Sequence, residues 1–283
     1  MSAQFNFPMM SAGGLDVAFC AIDVTKFWKN QLSGALDAFG YLLNDLAQAN
    51  ADVVVVRKTA DILAAKAAGR SAILLAIEHA DATDRSLNIL RMLYEAGVRS
   101  IGLTHNLSSW AADGNGEARP GVGLTPFGVH LVREMNRLGM VVDLAHVSES
   151  AFFSALGTST KPVLLSHGNA RALCDHSRNL TDEQLRALAR TGGVIGLSFV
   201  PMFVDNDKPT LDRFFDHVDH IVKLAGVDCV GLGSDFEGGG TVLDDVTQMW
   251  RISDGLIRRG YGEGDIRKIL GGNVLRVLTA TIG

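Results

Sequence analysis

Acidic and histidine residues close several apolar runs of this sequence. In the stretch VVDLAHVSES (residues 141–150), four apolar residues interrupted by Asp143 lead to His146, and Ser148 then begins a helical pattern. The stretch PVLLSHGNAR repeats this arrangement with His167. A polar residue at the carboxyl end of a buried strand is where an α/β barrel carries its chemistry. Two such histidines, one strand apart, indicate a metal site.

The same pattern extends along the chain. The last polar residues of the predicted strands are Asp23, Glu78, His105, His146, His167, Ser198 and Asp235. Imidazole and carboxylate groups that converge on one barrel mouth suit zinc or a similar divalent cation. A single strand-end histidine is more often a hydrogen-bonded core residue, so the metal interpretation depends on the whole series.

Short apolar runs separated by helical patterns must position these residues. Strands are predicted at residues 15–24, 72–78, 99–105, 140–146, 162–167, 193–199 and 229–236. Helices are predicted at residues 32–50, 54–68, 84–96, 126–139, 182–190, 209–225 and 244–281. This alternation predicts a parallel sheet with helices outside it, an α/β fold of the (β/α)8 TIM-barrel type in a single domain of residues 1–283. Because only seven barrel strands are recognisable, the first strand is expected to be missing.

Local signals support several of these elements. Thr125 is a predicted N-cap followed by proline at the first helical position, and Thr181 forms a predicted capping box with Gln184. Residues 106–124 have no periodicity and follow a strand end, so they are predicted to be a loop that handles substrate.

The composition argues against several classes of protein. The net charge of −5, with both signs spread along the chain, does not suit a nucleic-acid binder. No apolar run reaches the roughly 18 residues of a membrane span. The cysteines Cys20, Cys174 and Cys229 are too few and too far apart for a disulfide framework. With no leader-like pattern at the N-terminus, the sequence predicts a cytoplasmic protein.

Other candidate sites have simpler interpretations. His217 and His220 lie three apart in one predicted helix and could bind a metal, but apolar residues fill the other face, so both are predicted to face solvent. The segment GSDFEGGG could hold a phosphate, yet Asp235 and Glu237 would repel it. Trp110 either lines a substrate pocket or only packs the long loop.

A set of longer segments carries a specific resemblance. These are AIEHADA, LTHNLSSWAADG, VVDLAHVS, PVLLSHGNARAL, HSRNLTDEQL, VGLGSDFEG and LGGNVLRVL. In their order and spacing they resemble the renal (membrane) dipeptidases, the M19 metallopeptidases related to the amidohydrolases, over about residues 5–282. The resemblance implies a zinc-dependent dipeptidase that hydrolyses small dipeptides to free amino acids through a metal-bound hydroxide, and it suggests a homodimer.

The resemblance also implies metal ligands. Glu78 matches the carboxylate that bridges two zinc ions, and His146 and His167 match the histidines of the second zinc. Asp235 matches the aspartate beside the bridging water, which acts as a proton shuttle and is a candidate ligand. Two cations that share a water can generate hydroxide near neutral pH.

For the substrate, the resemblance implies roles for His105 and Arg178. His105 matches the histidine that contacts the substrate and polarises its scissile carbonyl. Arg178 matches the arginine that holds the terminal carboxylate of the dipeptide, which suits the fork geometry of a guanidinium.

One departure from the family concerns its first strand, which carries a His-x-Asp pair that binds the first zinc. No such pair precedes Glu78, and the first histidine of the chain is His79. We expect a truncated start, with a single-metal protein or a degenerate relative as the alternatives. We also expect a gap between the strands at 15–24 and 229–236, at most about one firmly bound zinc, and dipeptide hydrolysis that is poor or absent. His79 could replace a lost ligand, but neighbours on a strand point to opposite faces, so it is expected to point away from the site.

Three hypotheses of function follow. The leading one is a zinc-dependent dipeptidase, and Arg178 favours it because a dipeptide has a free carboxylate. The second is a degenerate single-metal or non-catalytic binding protein, which the missing His-x-Asp pair favours. The third is a barrel hydrolase of another small amide, a lactone or a phosphoester. Fold alone does not decide among them.

Overall fold

A computed structural model describes residues 3–27, 30–48, 52–119 and 121–283. The chain forms two compact units. The first, here the Glu78 unit, comprises Asp16–Lys161 with Leu278–Gly283. The second, here the His167 unit, comprises Met1–Leu15 with Pro162–Val277. The single domain expected over residues 1–283 stays a prediction.

Strands and helices alternate along the described residues. The strands are β1 (Val17–Asp23), β2 (Val53–Val55), β3 (Ser71–Glu78), β4 (Val98–Gly102), β5 (Val141–Asp143), β6 (Leu164–Gly168), β7 (Val194–Leu197) and β8 (Val230–Leu232). The α-helices are α1 (Phe7–Ala12), α2 (Gln31–Gln48), α3 (Thr59–Ala67), α4 (Leu87–Ala96), α5 (Pro126–Leu138), α6 (Glu149–Thr158), α7 (Asp182–Arg190), α8 (Pro201–Val204), α9 (Leu211–Ala225), α10 (Trp250–Arg258), α11 (Glu263–Arg267) and α12 (Asn273–Thr281). All seven predicted strands and the α/β class are confirmed.

In the Glu78 unit, the strand β3 is the centre of a parallel sheet. It pairs with β1, β2 and β4, and β4 pairs with β5. The sequence SAILLAIE of β3 is buried along nearly its whole length, as expected for a strand covered on both faces. The register aligns Glu78 with Asp23 on one side and with Gly102 on the other. Gly102 is aligned in turn with Asp143. The carboxyl ends of four strands therefore lie side by side, and the segments that follow them start from one edge.

In the His167 unit, β7 lies between β6 and β8, again in parallel. The backbone approaches itself closely here, because a Cβ at Gly196 or at Gly233 would overlap the carbonyl oxygen of Ser166. Glycine is therefore required at both positions for the segments to pack next to β6.

The predicted helix signals are confirmed at several ends. Thr125 accepts a hydrogen bond from the Gly128 amide at the start of α5, and Thr181 and Gln184 form the capping box of α7. Gly97 ends α4 with a φ of 112°, in the region that favours glycine.

Three details differ from the sequence-based expectations. Residues 53–55 form a strand, and the helix begins at Thr59 rather than at residue 54, because the run of valines has high β propensity. The helix expected at 244–281 is divided into α10, α11 and α12, with Gly260 at a φ of 83° after α10. The end expected for α2 at Asn50 lies outside the described residues.

Two further expectations concern a membrane-spanning helix and a gap in the sheet. Within the described ranges, no helix is both long and apolar enough to cross a membrane. The gap expected between the strands now called β1 and β8 stays a prediction.

We expect Gly255→Ala in α10 to lower the free energy of unfolding by about 1–3 kcal/mol, because the added methyl group would overlap the buried Phe215 ring. The matched control is Gly157→Ala in α6, where the added methyl group meets no atom within 4 Å. This control should gain roughly 0.5–1 kcal/mol from helix propensity. Urea unfolding of both variants tests the packing, and equal stability of the two would contradict it.

Candidate metal centre

Three side chains of the Glu78 unit offer metal-ligating atoms that all lie within 4.8 Å of one another: Glu78, His105 and His146. Glu78 ends β3, and the two histidines each follow the last residue of a neighbouring strand by three positions. The in-register strand ends explain why residues so far apart in sequence meet. The prediction that strand-end carboxylate and imidazole groups converge is confirmed for this triad.

The Glu78 carboxylate lies closer to His146 than to His105. Glu78 Oε1 lies 2.8 Å from His146 Nε2, whereas Glu78 Oε2 lies 3.9 Å from His105 Nε2. The two imidazole rings are 4.3 Å apart between centroids and are tilted by 40°. The carboxylate therefore spans the two rings, with one oxygen directed to each.

The hydrogen bond at Nδ1 of His146 determines whether its other ring nitrogen, Nε2, is a donor or an acceptor. His146 Nδ1 lies 2.8 Å from Asn106 Oδ1, an amide oxygen that can only accept, so Nδ1 carries the hydrogen. In the neutral ring, Nε2 is then an acceptor that faces the Glu78 carboxylate, which is also an acceptor. Two acceptors at this distance repel unless a cation lies between them. One carboxylate and two imidazoles whose ligating atoms lie within 4.8 Å of one another form a donor set that fits a metal.

The backbone around the triad is strained. His79, Asn106 and His146 have φ values of 119°, 60° and 66°, in the region that L-residues rarely adopt. Asparagine and histidine adopt this region more often than most residues, although it is uncommon for either. Such strain persists where the surrounding structure fixes it, and it clusters at functional sites. At His146 the backbone is held by a hydrogen bond from the Asn115 amide to its carbonyl, at 2.8 Å.

The side chain of His79 is bonded to the backbone of its own segment, and the expectation that it points away from the site stays a prediction. It is buried, and its Nδ1 accepts a hydrogen bond from the Asp81 amide at 3.3 Å. Burial is the largest influence on this ring and lowers the pKa of His79, against the nearby Asp81 carboxylate, which raises it. A neutral, backbone-bonded His79 is not part of the triad.

The long loop that follows β4 is anchored to its own unit. Ser109 Oγ donates to the Leu103 carbonyl at 2.6 Å, and the buried Asp113 carboxylate forms an ion pair with Arg119. The Trp110 side chain is half exposed, with the Arg85 guanidinium 4.6 Å from its ring centroid. Whether Trp110 lines a substrate pocket or only packs the loop stays a prediction.

The remaining predicted site residues belong to the His167 unit. His167 Nε2 lies 3.9 Å from Asp235 Oδ2, and its Nδ1 lies 2.9 Å from Ser166 Oγ. Arg178 is buried, with its guanidinium carbon 5.3 Å from the Phe203 ring centroid. The meeting of His167 with Glu78 and His146 at one metal, and the roles of Asp235 and Arg178, stay predictions.

The prediction that His217 faces solvent is wrong. The side chain is fully buried, its Nδ1 accepts from the Ala170 amide at 3.1 Å, and its Nε2 donates to the Val204 carbonyl at 2.8 Å. Both ring nitrogens therefore serve the fold. His220 is partly exposed and pairs with Asp182 at 2.8 Å.

Known proteins are similar to this chain over most of its length. The model of a family described as membrane dipeptidase (peptidase family M19) matches residues 1–282. Dipeptidase tcpJ of Claviceps purpurea is 38% identical over 230 residues, which is 79% of this chain and 54% of that protein. An uncharacterised dipeptidase of Schizosaccharomyces pombe is 40% identical over 223 residues, 75% of this chain and again 54% of that protein. The chain thus spans about half the length of these two curated relatives.

A solved structure is similar as well. The metallo peptidase of Rhodobacter sphaeroides, liganded with a phosphinate mimic of the dipeptide L-Ala-D-Ala, is 27% identical. The match has a TM-score of 0.91 and covers 99% of this chain and 91% of that chain.

We expect Asn106→Gly to weaken metal binding, because it removes the acceptor that orients His146 but keeps a residue that tolerates a positive φ. Loss of such a partner to a ligating histidine typically costs about 10–100-fold in metal affinity. Asn106→Asp is the matched control, since it keeps an acceptor at the same place. Competition titration with a chromophoric chelator and Zn²⁺ measures both, and an Asn106→Gly variant that binds as tightly as Asn106→Asp would contradict the assignment.

Proposed function

Because the chain belongs to the membrane dipeptidase family, peptidase family M19, we propose that it is a zinc-dependent dipeptidase that hydrolyses small dipeptides to free amino acids. The observation that carries this proposal is the triad, in which ligating atoms of Glu78, His105 and His146 all lie within 4.8 Å of one another. Such a cluster of carboxylate and imidazole groups, in a family of metallopeptidases, supports a metal site.

Glu78, His105 and His146 would hold this metal. One carboxylate and two imidazoles form an oxygen and nitrogen donor set that zinc accepts, and three protein ligands with an open position are typical of its catalytic sites. A divalent cation bound there would polarise a peptide carbonyl and lower the pKa of a water. The side chains of Glu78 and His105 are 18% and 24% exposed, so a small substrate can reach them.

His167 and Asp235 remain proposed as further ligands, on the family resemblance. We propose that Asp235 also takes the proton from the attacking water and returns it to the leaving amine, as a carboxylate beside the reacting group can do. The 3.9 Å between His167 Nε2 and Asp235 Oδ2 supports a shared role for this pair.

The substrate contacts are proposed for His105 and Arg178. Arg178 would bind the carboxylate of the dipeptide, and its burial would strengthen that ion pair, because a charge removed from water interacts more strongly. On the family resemblance, His105 is also proposed to contact the substrate next to its scissile carbonyl. The solved relative with a mimic of L-Ala-D-Ala makes this dipeptide the first substrate to test.

A single-metal protein is the second candidate. Within the described residues, the group that could hold a metal is the one triad of Glu78, His105 and His146, which supports about one firmly bound ion per chain. The homodimer and the cytoplasmic location stay predictions.

We expect the wild-type chain to retain about one zinc after desalting and to hydrolyse L-Ala-D-Ala, and Glu78→Gln to weaken zinc binding at least about tenfold, roughly 1.4 kcal/mol. The amide keeps the shape of the carboxylate but loses its charge. Glu263→Gln, at a side chain 79% exposed and paired with Arg267, is the matched control and should bind as the wild type does. Metal analysis by mass spectrometry together with turnover provides the measurement. A wild type that neither binds metal nor turns over dipeptide would refute the proposed function, and two tightly held ions would refute the single-metal count.

We expect Arg178→Lys to lower kcat/KM for dipeptides at least about tenfold, because lysine keeps the charge but loses the paired donors. Arg267→Lys, at an exposed side chain, controls for the change of residue type. Steady-state kinetics on L-Ala-D-Ala and on its C-terminally amidated form test the assignment. It would be contradicted if the wild type used the amidated substrate equally well.

A further inference from the structure

Asp23 ends β1 in register with Glu78, yet it is not one of the three donors of the triad. Its Oδ1 accepts two hydrogen bonds from Thr25, one from the backbone amide at 2.9 Å and one from the hydroxyl at 2.5 Å. These two bonds fix both the position and the direction of the Thr25 hydroxyl. A hydroxyl has one hydrogen, and this one is directed to the carboxylate.

The same hydroxyl oxygen faces His105. Thr25 Oγ1 lies 3.3 Å from His105 Nδ1, and Asp23 Oδ1 lies 3.8 Å from that nitrogen. An ionised carboxylate only accepts, so Thr25 must donate to Asp23 and can only accept from His105. His105 Nδ1 therefore carries the hydrogen, and in the neutral ring Nε2 keeps its lone pair. Nε2 is the nitrogen on the side of Glu78 Oε2, at 3.9 Å.

We propose that Asp23 and Thr25 are positioning residues that hold His105 in the Nδ1–H form and so present its Nε2 to the metal. The role toward the metal rests on the proposed function, whereas the choice of the ring form does not. Asn106 imposes the same form on His146 through an amide oxygen. Both histidines thereby direct an unprotonated Nε2 to the two oxygens of Glu78.

The geometry favours this role for Asp23 over that of a direct ligand. Its Oδ1 already accepts two hydrogen bonds from Thr25, and it lies on the Nδ1 side of His105. The ligating side of the ring is the opposite one. Asp23 thus acts on the metal through Thr25 and His105.

The test uses Thr25→Val, which removes the hydroxyl but keeps the branched shape, and Thr25→Ser, which restores it. The matched control is Thr104→Val. Thr104 precedes His105 and is fully buried, but among the described residues its hydroxyl has no hydrogen-bond partner. Asp23→Ala is a second variant should Thr25→Val not fold, because it leaves the hydroxyl but frees its hydrogen for His105 Nδ1.

The first readout is the form of the His105 ring in the full metal-free chain, from ¹⁵N shifts in long-range ¹H–¹⁵N correlation spectra at a pH where the ring is neutral. We expect Nδ1–H in the wild type, Thr25→Ser and Thr104→Val, and a shift toward Nε2–H in Thr25→Val and Asp23→Ala. The second readout is affinity for Co²⁺ with its visible spectrum. We expect Thr25→Val to lose about tenfold or more, and Thr25→Ser to recover it.

Two results would overturn the proposal. One is a wild-type His105 in the Nε2–H form, and the other is a Thr25→Val variant with unchanged ring form and unchanged Co²⁺ affinity. A wild type that binds no Co²⁺ but shows the Nδ1–H form lost in Thr25→Val would refute the metal role and the proposed function, and it would leave the hydrogen-bond relay established.

Discussion

The Glu78 carboxylate and the His146 imidazole face each other as two acceptors at 2.8 Å, and the rest of the site depends on how that contact is made tolerable. Without a cation the contact is repulsive, because Asn106 already accepts the hydrogen of the other ring nitrogen. A divalent cation held by Glu78 and His146 would also be held by His105, because the second oxygen of Glu78 lies 3.9 Å from His105 Nε2. The triad is therefore arranged for one charge to be shared by three side chains.

The register of the parallel sheet is what makes this contact available. Asp23, Glu78, Gly102 and Asp143 are aligned across four strands, so the segments after β4 and β5 leave from the same edge. This much could be predicted from the sequence, because apolar runs bounded by turn signals reveal buried strands and the residue after each run then falls at the strand end. The chemistry of the edge follows from residue types alone, which is why Glu78, His105 and His146 were all identified as candidates.

The sequence could not predict which partners orient those residues. Asn106 and Thr25 carry no periodic signal, and their roles depend on distances across the sheet rather than along the chain. For His217, the sequence predicts exposure to solvent, whereas the side chain is fully buried. Helical spacing predicts a polar face for it, but the segment at Ala170 and the end of α8 at Val204 cover that face and use both ring nitrogens. In both cases tertiary contacts decide what a polar side chain does, and local sequence does not record them. The valines at 53–55 are a milder example, since pairing with β3 selects strand over helix.

Two kinds of partner orient the histidines of the triad, and the difference has a consequence for the metal. Asn106 is neutral, so it fixes the form of His146 without adding charge. The partner of His105 is a hydroxyl backed by the Asp23 carboxylate, which places negative charge 3.8 Å from the ring. A carboxylate behind a ligating histidine stabilises the Nδ1–H dipole and, with it, a positive charge held at Nε2. His105 is also the more exposed of the two rings, with water as a competitor for its nitrogen atoms. A charged partner is therefore placed behind the histidine that most needs one to remain a ligand.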